Sequence, residues 1–189
     1  MQKNVLAQLG ANRKQRIDNL FGENTWVNGF FAPHTLEIDF YNLENNRKHI
    51  RKFINQHYKK QTPKNKHIAN MSASEADRYD TVLTVVKKLG KGWHAILLAN
   101  DIDRTIQIPE YIVQALAFAT QDVITPHILK RMALYVLESY KDESDLKNNM
   151  YNARTEEEIL EKLDEICAKY ENNEFKLFAE LWKEHKGYE

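Results

Sequence analysis

The chain has 189 residues, of which 42% are hydrophobic and 11% aromatic, and its 27 basic and 27 acidic residues balance. This composition excludes wholesale disorder, and the length suits one domain or one domain with a helical extension. The balanced charge neither requires nor excludes nucleic acid, so any DNA contact has to come from a local patch. The single cysteine excludes an internal disulfide. With no membrane-length apolar run and no signal-peptide pattern, the chain is predicted to be cytoplasmic.

The first elements in chain order are a helix over residues 3–21, a short strand at Thr25-Trp26-Val27 and a turn from Gly29 to Pro33. A second strand is predicted over Thr35 to Tyr41, where apolar residues alternate with polar ones. These two segments are the only strands that the pattern predicts.

From about residue 44 the apolar positions recur at helical spacing, and a proline-containing polar loop at residues 61–64 is predicted to end that helix. The apolar run over 93–99 suits either a buried strand or a helix. Helix starts are expected at the capping boxes 72–75 and 155–158, at Pro109 and at Thr125-Pro126, and a last helix carries Phe175 to Trp182. The predicted fold class is therefore α/β to mostly α: a few short strands near the N-terminus, followed by a helical C-terminal region.

The sequence Thr35-Leu36-Glu37-Ile38-Asp39-Phe40 is the first candidate site. A carboxylate at the end of a short strand is a rigid ligand for a divalent metal, and this pattern makes Glu37 a candidate. Two later segments follow in order: Gly90-Lys91-Gly92-Trp93-His94-Ala95 and Ile108-Pro109-Glu110-Tyr111-Ile112.

This series resembles the C-terminal part of the OLD-family (overcoming lysogenisation defect) ATP-dependent endonucleases, in which a toprim nuclease domain follows an ATPase domain. The resemblance covers roughly residues 13–120. It implies a partial toprim-like domain over residues 1–120, with a helical extension over residues 121–189.

Two residues match the family's functional positions. The resemblance implies that Glu37 helps hold Mg²⁺ or Mn²⁺ and that Lys91 stabilises the charge developing on the scissile phosphate. The implied reaction is two-metal hydrolysis of DNA, in antiphage defence or DNA maintenance.

The sequence departs from the family in two ways. The Asp-x-Asp strand end that precedes the Thr-Leu-Glu stretch in the family has no counterpart upstream of Thr35, and the chain lacks a phosphate-binding loop for ATP. We therefore expect the back half of such a nuclease, inactive alone, whose partner supplies the ATPase and the rest of the toprim site. The helices in residues 121–189 are expected to serve assembly, with a homo-oligomer as one option.

The run that ends in Asp101-Ile102-Asp103 leaves an alternative open. As a strand it would supply the missing Asp-x-Asp pair, with Asp101 and Asp103 as metal ligands beside Glu37. As a helix its two acids would only be solvated near its end. The resemblance and the alanines favour the helix.

A basic stretch follows the first candidate site and can contact a DNA backbone or form the wet face of a helix. Its cationic residues are Lys48, Arg51, Lys52, Lys59, Lys60, Lys64 and Lys66. The 7 histidines show no zinc-ligand spacing.

Two rival functions remain. The segment from Thr25 to His34 is similar to the Gly-x-Ala-Ile-Pro-His segment of fructose/mannitol-type IIA phosphotransferase domains, and residues 152–160 are similar to their C-terminal helix. That resemblance implies a multi-stranded sheet and makes His34 the phosphorylated nucleophile. The other rival is a helical adaptor or regulatory subunit without chemistry.

Overall fold

The computed structural model describes residues 12–20, 22, 27–103, 105–140, 142–170 and 174–188, and these are helices and connecting segments without a strand. They fall into two compact units. One contains the described residues among 1–23 and 31–109, and the other those among 24–30 and 110–189. None of the helices in the described residues is long and apolar enough to cross a membrane.

In its described residues, the first unit contains six α-helices and one 3₁₀ turn, Glu44–Asn46. The helices are α1 (residues 12–20), α2 (Leu36–Asn42), α3 (Arg47–His57), α4 (Gln61–Asn70), α5 (Glu75–Leu89) and α6 (Lys91–Ala99). Helices α2, α3, α4 and α6 all pack against α5. The core consists of aliphatic and aromatic side chains, namely Ile38, Phe40, Tyr41, Ile50, Phe53, Ile54, Tyr58, Met71, Val82, Val85 and Val86.

The part of the second unit that the structure describes contains five helices: α7 (Glu110–Thr120), α8 (Pro126–Leu137), α9 (Ser144–Asn152), α10 (Glu156–Lys169) and α11 (Glu174–Lys186). Helices α7 and α11 pack together, and α8 packs against α9 and α10. Trp182 fills the core and donates its indole N–H to the Ile124 carbonyl at 3.2 Å. Cys167 is buried in the same core.

The predicted α/β element near the N-terminus is wrong within the described residues, because the stretch predicted as a strand forms α2. Glu37 and Asp39 lie in the first turn of α2, where negative charge is favourable beside the positive end of the helix dipole. A short run with buried Ile38, Phe40 and Tyr41 fits both the alternating pattern of a strand and the spacing of a helix. The local sequence alone does not distinguish the two structures. The other predicted strand, Thr25 to Val27, lies largely outside the described residues.

The proline-containing segment predicted as a loop is instead the start of α4. Pro63 lies in the first turn of this helix, where a backbone N–H has no helical acceptor and its loss costs nothing. Helix α3 ends before this segment, at His57, and Tyr58 is its C-cap. Helix α9 was not predicted at all.

Several helix starts agree with the capping patterns. Thr125 accepts a hydrogen bond from the Ile128 N–H. Thr155 and Glu158 form the predicted capping box. Helix α5 begins as expected, although its cap is Ser74, which accepts from the Asp77 N–H, and not Ser72. Glycine ends α5 at Gly90, whose φ of 83° lies in the left-handed region.

Candidate active site

Glu37 and Lys91, the two residues matched to nuclease positions, meet in the first unit. Glu37 lies in the first turn of α2 and Lys91 is the first residue of α6. The Lys91 Nζ atom lies 3.4 Å from Glu37 Oε1. The Glu37 side chain is 18% exposed and that of Lys91 is 71% exposed, so the carboxylate is held in the protein while the ammonium group reaches it from solvent.

The surroundings of Glu37 keep its carboxylate ionised. Burial alone would raise its pKa. Hydrogen bonds from its own backbone N–H and from Thr35, together with the charge of Lys91, outweigh burial and lower the pKa below its ordinary value. An ionised oxygen ligand is what a hard divalent cation requires.

The N-terminus of α6 is open around Lys91. Gly90 occupies the cap position and offers no side-chain acceptor, so the first backbone N–H groups of α6 have no side-chain cap. A Cβ atom added at Gly90 or Gly92 would meet nothing within 4 Å. Such an end, with its free N–H groups and positive dipole, suits a phosphate or another anion.

Asp101 and Asp103 do not join Glu37, and the strand interpretation of residues 95–103 is wrong because Lys91–Ala99 is the helix α6. A helix of 9 residues is about 13 Å long, so α6 separates its starting residue from the acids after its end. Asp101 Oδ1 instead accepts from Lys52 Nζ at 2.6 Å. Asp103 caps its own loop by accepting from the Thr105 backbone N–H at 2.8 Å.

The described residues contain no group of three or more histidine, cysteine, aspartate and glutamate side chains placed to hold one metal ion.

His34 lies just before α2 and is paired with Asp39. Its Nδ1 atom is 2.9 Å from Asp39 Oδ1, and its backbone N–H donates to the other carboxylate oxygen at 3.2 Å. The ring also packs against Tyr79, with 4.7 Å between centroids. The multi-stranded sheet of the phosphocarrier interpretation is absent from the described residues.

The cationic side chains of the basic stretch differ in whether they contact other residues. Lys52 pairs with Asp101, and Arg51 donates to the Ser72 hydroxyl at 2.6 Å. Lys48 donates to the Thr105 hydroxyl and approaches Asp103. Lys59, Lys60 and Lys66 are exposed and lie around the start of α4 and along it.

Sequence reasoning missed a buried polar pair beside the candidate site. The Tyr41 hydroxyl lies 2.7 Å from His94 Nε2, and both side chains are buried. The two residues are 53 positions apart, so no local pattern links them. The available signal was their spacing, since each follows a candidate residue by about one helical turn, Tyr41 after Glu37 and His94 after Lys91.

The second unit contains a separate cleft of about 490 Å³ between α7, α11 and residues 28–30. Phe30 and Phe118 form its apolar side, with ring centroids 5.7 Å apart. Gln114, Gln121 and Glu184 add polar groups. Nothing in this lining selects one ligand chemistry.

Comparison with known proteins adds no relative: no protein-family model matches the chain, and no curated protein and no solved structure shows significant similarity to it.

Proposed function

We propose that this chain supplies part of the active site of a metal-dependent DNA endonuclease of the OLD type. Glu37 is one ligand of a Mg²⁺ or Mn²⁺ ion, and Lys91 binds the scissile phosphate. The remaining ligands come from outside the described residues, on a partner that also carries the ATPase.

The observation that carries this proposal is the 3.4 Å contact between Lys91 Nζ and Glu37 Oε1. The two residues belong to separate short motifs that lie far apart in the chain. Their contact supports a common site.

The chemistry of the two residues suits phosphodiester hydrolysis. An ionised carboxylate is a hard ligand, and a lysine beside it can balance negative charge that develops on a phosphate. The uncapped start of α6 would add backbone N–H donors for a phosphate oxygen. When bound, the metal would supply a polarised phosphate and an activated water. Phosphate binding would use the exposed Lys91 ammonium, which is free to leave Glu37 for a stronger anion.

The outer face of α6 is a surface that the partner carrying the remaining ligands could contact. Trp93 and Ile96 are 54% and 56% exposed, and the exposed Gly92, Ala95 and Ala99 share that face. The face is apolar and begins beside Lys91. Exposed apolar surface of this kind is typical of protein contacts, and a ligand-bearing segment must come close to Glu37 to share its metal.

The test is nicking of supercoiled plasmid with Mg²⁺ or Mn²⁺ by the chain alone and by the chain mixed with an ATPase–nuclease polypeptide that carries an Asp-x-Asp motif. We expect nicking only in the mixture. Glu37→Gln and Lys91→Met should each abolish it, because the first removes a ligand charge and the second the phosphate-binding ammonium group. Glu75→Gln and Lys87→Met, exposed residues of α5, are the matched controls.

A second measurement reads metal binding without activity. Mn²⁺ should broaden the backbone NMR signals of α2 and the start of α6, and Glu37→Gln should remove this broadening while Glu75→Gln leaves it. Broadening that persists in Glu37→Gln would contradict the metal assignment. Binding of the partner through α6 with no metal effect at Glu37 would favour the adaptor function instead.

A further inference from the structure

The buried hydrogen bond between Tyr41 and His94 lies next to the Glu37–Lys91 contact. Both of its side chains are shielded from water, whereas the Lys91 side chain is exposed. Tyr41 is 0% exposed and His94 is 3% exposed. Their hydroxyl and imidazole groups are 2.7 Å apart. Two polar groups taken out of water to this extent are stable only when they bond to each other or to another partner.

The spacing along both helices places this bond one helical turn from the candidate site. Residues three or four positions apart lie on the same face of a helix, so Tyr41 lies one turn after Glu37 on α2 and His94 one turn after Lys91 on α6. The two side-chain contacts thus bridge α2 and α6 in the same order. The outer bridge involves an exposed ammonium group and the inner bridge is shielded from water.

Aromatic packing fixes the orientation of the inner bridge. The His94 ring meets Phe53 of α3 edge to face, with centroids 5.4 Å apart, and meets Tyr41 at 5.6 Å. Phe40 packs on Tyr41 at 5.1 Å. Each ring is held by a neighbour as well as by the hydrogen bond, which leaves the bond little freedom to change its geometry.

The outer bridge is too weak to hold the two helices at a fixed separation. An ion pair with one largely exposed partner contributes little to stability, and the lysine stem has many rotamers. A buried, directional bond between two ordered rings is the stronger constraint.

We propose that Tyr41 and His94 are positioning residues that set the distance between Glu37 and Lys91 by joining α2 to α6. Neither touches metal or phosphate. The inference deepens the proposed function, since a metal ligand and a phosphate-binding lysine work together only at a fixed separation.

The test measures the distance between the helices in the folded chain. A nitroxide is attached at Lys91→Cys in a Cys167→Ala background, and paramagnetic relaxation of the α2 amides is compared with that of the α5 amides. In the otherwise unchanged chain, we expect strong relaxation at the start of α2. In Tyr41→Phe and in His94→Phe this relaxation should fall about twofold or more relative to α5, because the bond that joins the helices is lost.

The double variant Tyr41→Phe/His94→Phe guards against loss of folding, since it removes both polar groups of this bond and leaves neither of them buried without its partner. The same fall is expected in it, while Tyr79→Phe, which removes a tyrosine hydroxyl elsewhere in this unit, should leave the relaxation unchanged. Unchanged relaxation in the double variant would show that packing alone sets the separation and would overturn the proposal.

The relaxation experiment is independent of nuclease activity, because no DNA, metal or partner is present. A failure of the nicking test with a normal relaxation result would contradict the proposed function alone. Unchanged relaxation with normal nicking would contradict the positioning role alone.

Discussion

Lys91 reaches Glu37 from solvent, and the two members of this pair differ in burial: 71% of the lysine side chain is exposed but only 18% of the glutamate side chain. Another cation can therefore take the place of the Lys91 ammonium group at the carboxylate with little loss of folding stability. The glutamate, which also accepts hydrogen bonds from Thr35 and from the backbone, stays in place.

Lys91→Met should raise the pKa of the Glu37 carboxyl, since the variant removes a positive charge that favours its ionised form. The free energy of unfolding should change by less than about 1 kcal/mol because the lysine is largely exposed. Carbon-13 NMR titration of the side-chain carboxyl measures the pKa, and urea unfolding measures stability. Lys87→Met serves as the control, and an unchanged Glu37 pKa in Lys91→Met would show that the contact is not maintained in solution.

The first unit should lose stability in mild acid. Burial lowers the pKa values of His49, His67 and His94 below the ordinary value of about 6.5 that they regain on unfolding. Below about pH 6.5 the unfolded state therefore binds more protons than the folded state, and the free energy of unfolding falls as pH falls. Above this pH the contribution is fully present.

Urea unfolding at about pH 7.5 and about pH 5.5, followed by NMR signals of α5, measures this loss. Replacing His94 by phenylalanine should reduce the difference in stability between the two pH values, since one titrating group is removed. His127→Gln, at an exposed position of α8, should leave it unchanged. Equal stability of the first unit at both pH values would contradict the prediction.

Asn46 should be far more important for stability than its neighbour Asn45. The buried Asn46 amide donates to the Phe40 carbonyl at 2.9 Å and to the Gln107 carbonyl at 2.7 Å, and its oxygen accepts from the Gln107 N–H at 2.9 Å. Asn46→Ala removes all three bonds and should cost about 2–4 kcal/mol.

Asn45→Ala is the matched control for this prediction, because the Asn45 side chain is exposed and its backbone N–H, which donates to Gln107, is retained. Urea unfolding of both variants gives the comparison. Similar losses in the two variants would show that the bonds of Asn46 are not maintained.

Cys167 should react with a thiol reagent only when the second unit opens. Burial, with the nearby carboxylates of Glu180 and Asp164, raises the pKa of its thiol to about 11, and the thiolate is the reactive form. The rate of reaction with Ellman's reagent should be very low in buffer and rise steeply in urea. A chain with Ser139→Cys and Cys167→Ala has its thiol at an exposed position and should react at once. Comparable rates for the two thiols in buffer would contradict the burial of Cys167.

Much of the second unit could be predicted because its signals are local. Thr125 and Thr155 cap helices through bonds to the third residue that follows, and the apolar stripe of α10 recurs at helical spacing. A wrong element arose where the local signal was ambiguous, as in the short run around Glu37, where tertiary packing on α5 favours the helix. Helix α4 was missed because Pro63 reads as a breaker, although the first turn tolerates it.

In the candidate site too, some features follow from local sequence and others only from tertiary structure. Sequence by itself determined the residue types, the helix caps and the stripes, because each depends on neighbours within a turn or two. Only the tertiary structure decided that Lys91 contacts Glu37, that Lys52 pairs with Asp101 and that Tyr41 bonds to His94. Each of these contacts joins residues of different helices, whose separation depends on how the helices pack in the core of the first unit, and that packing is a property of many side chains acting together.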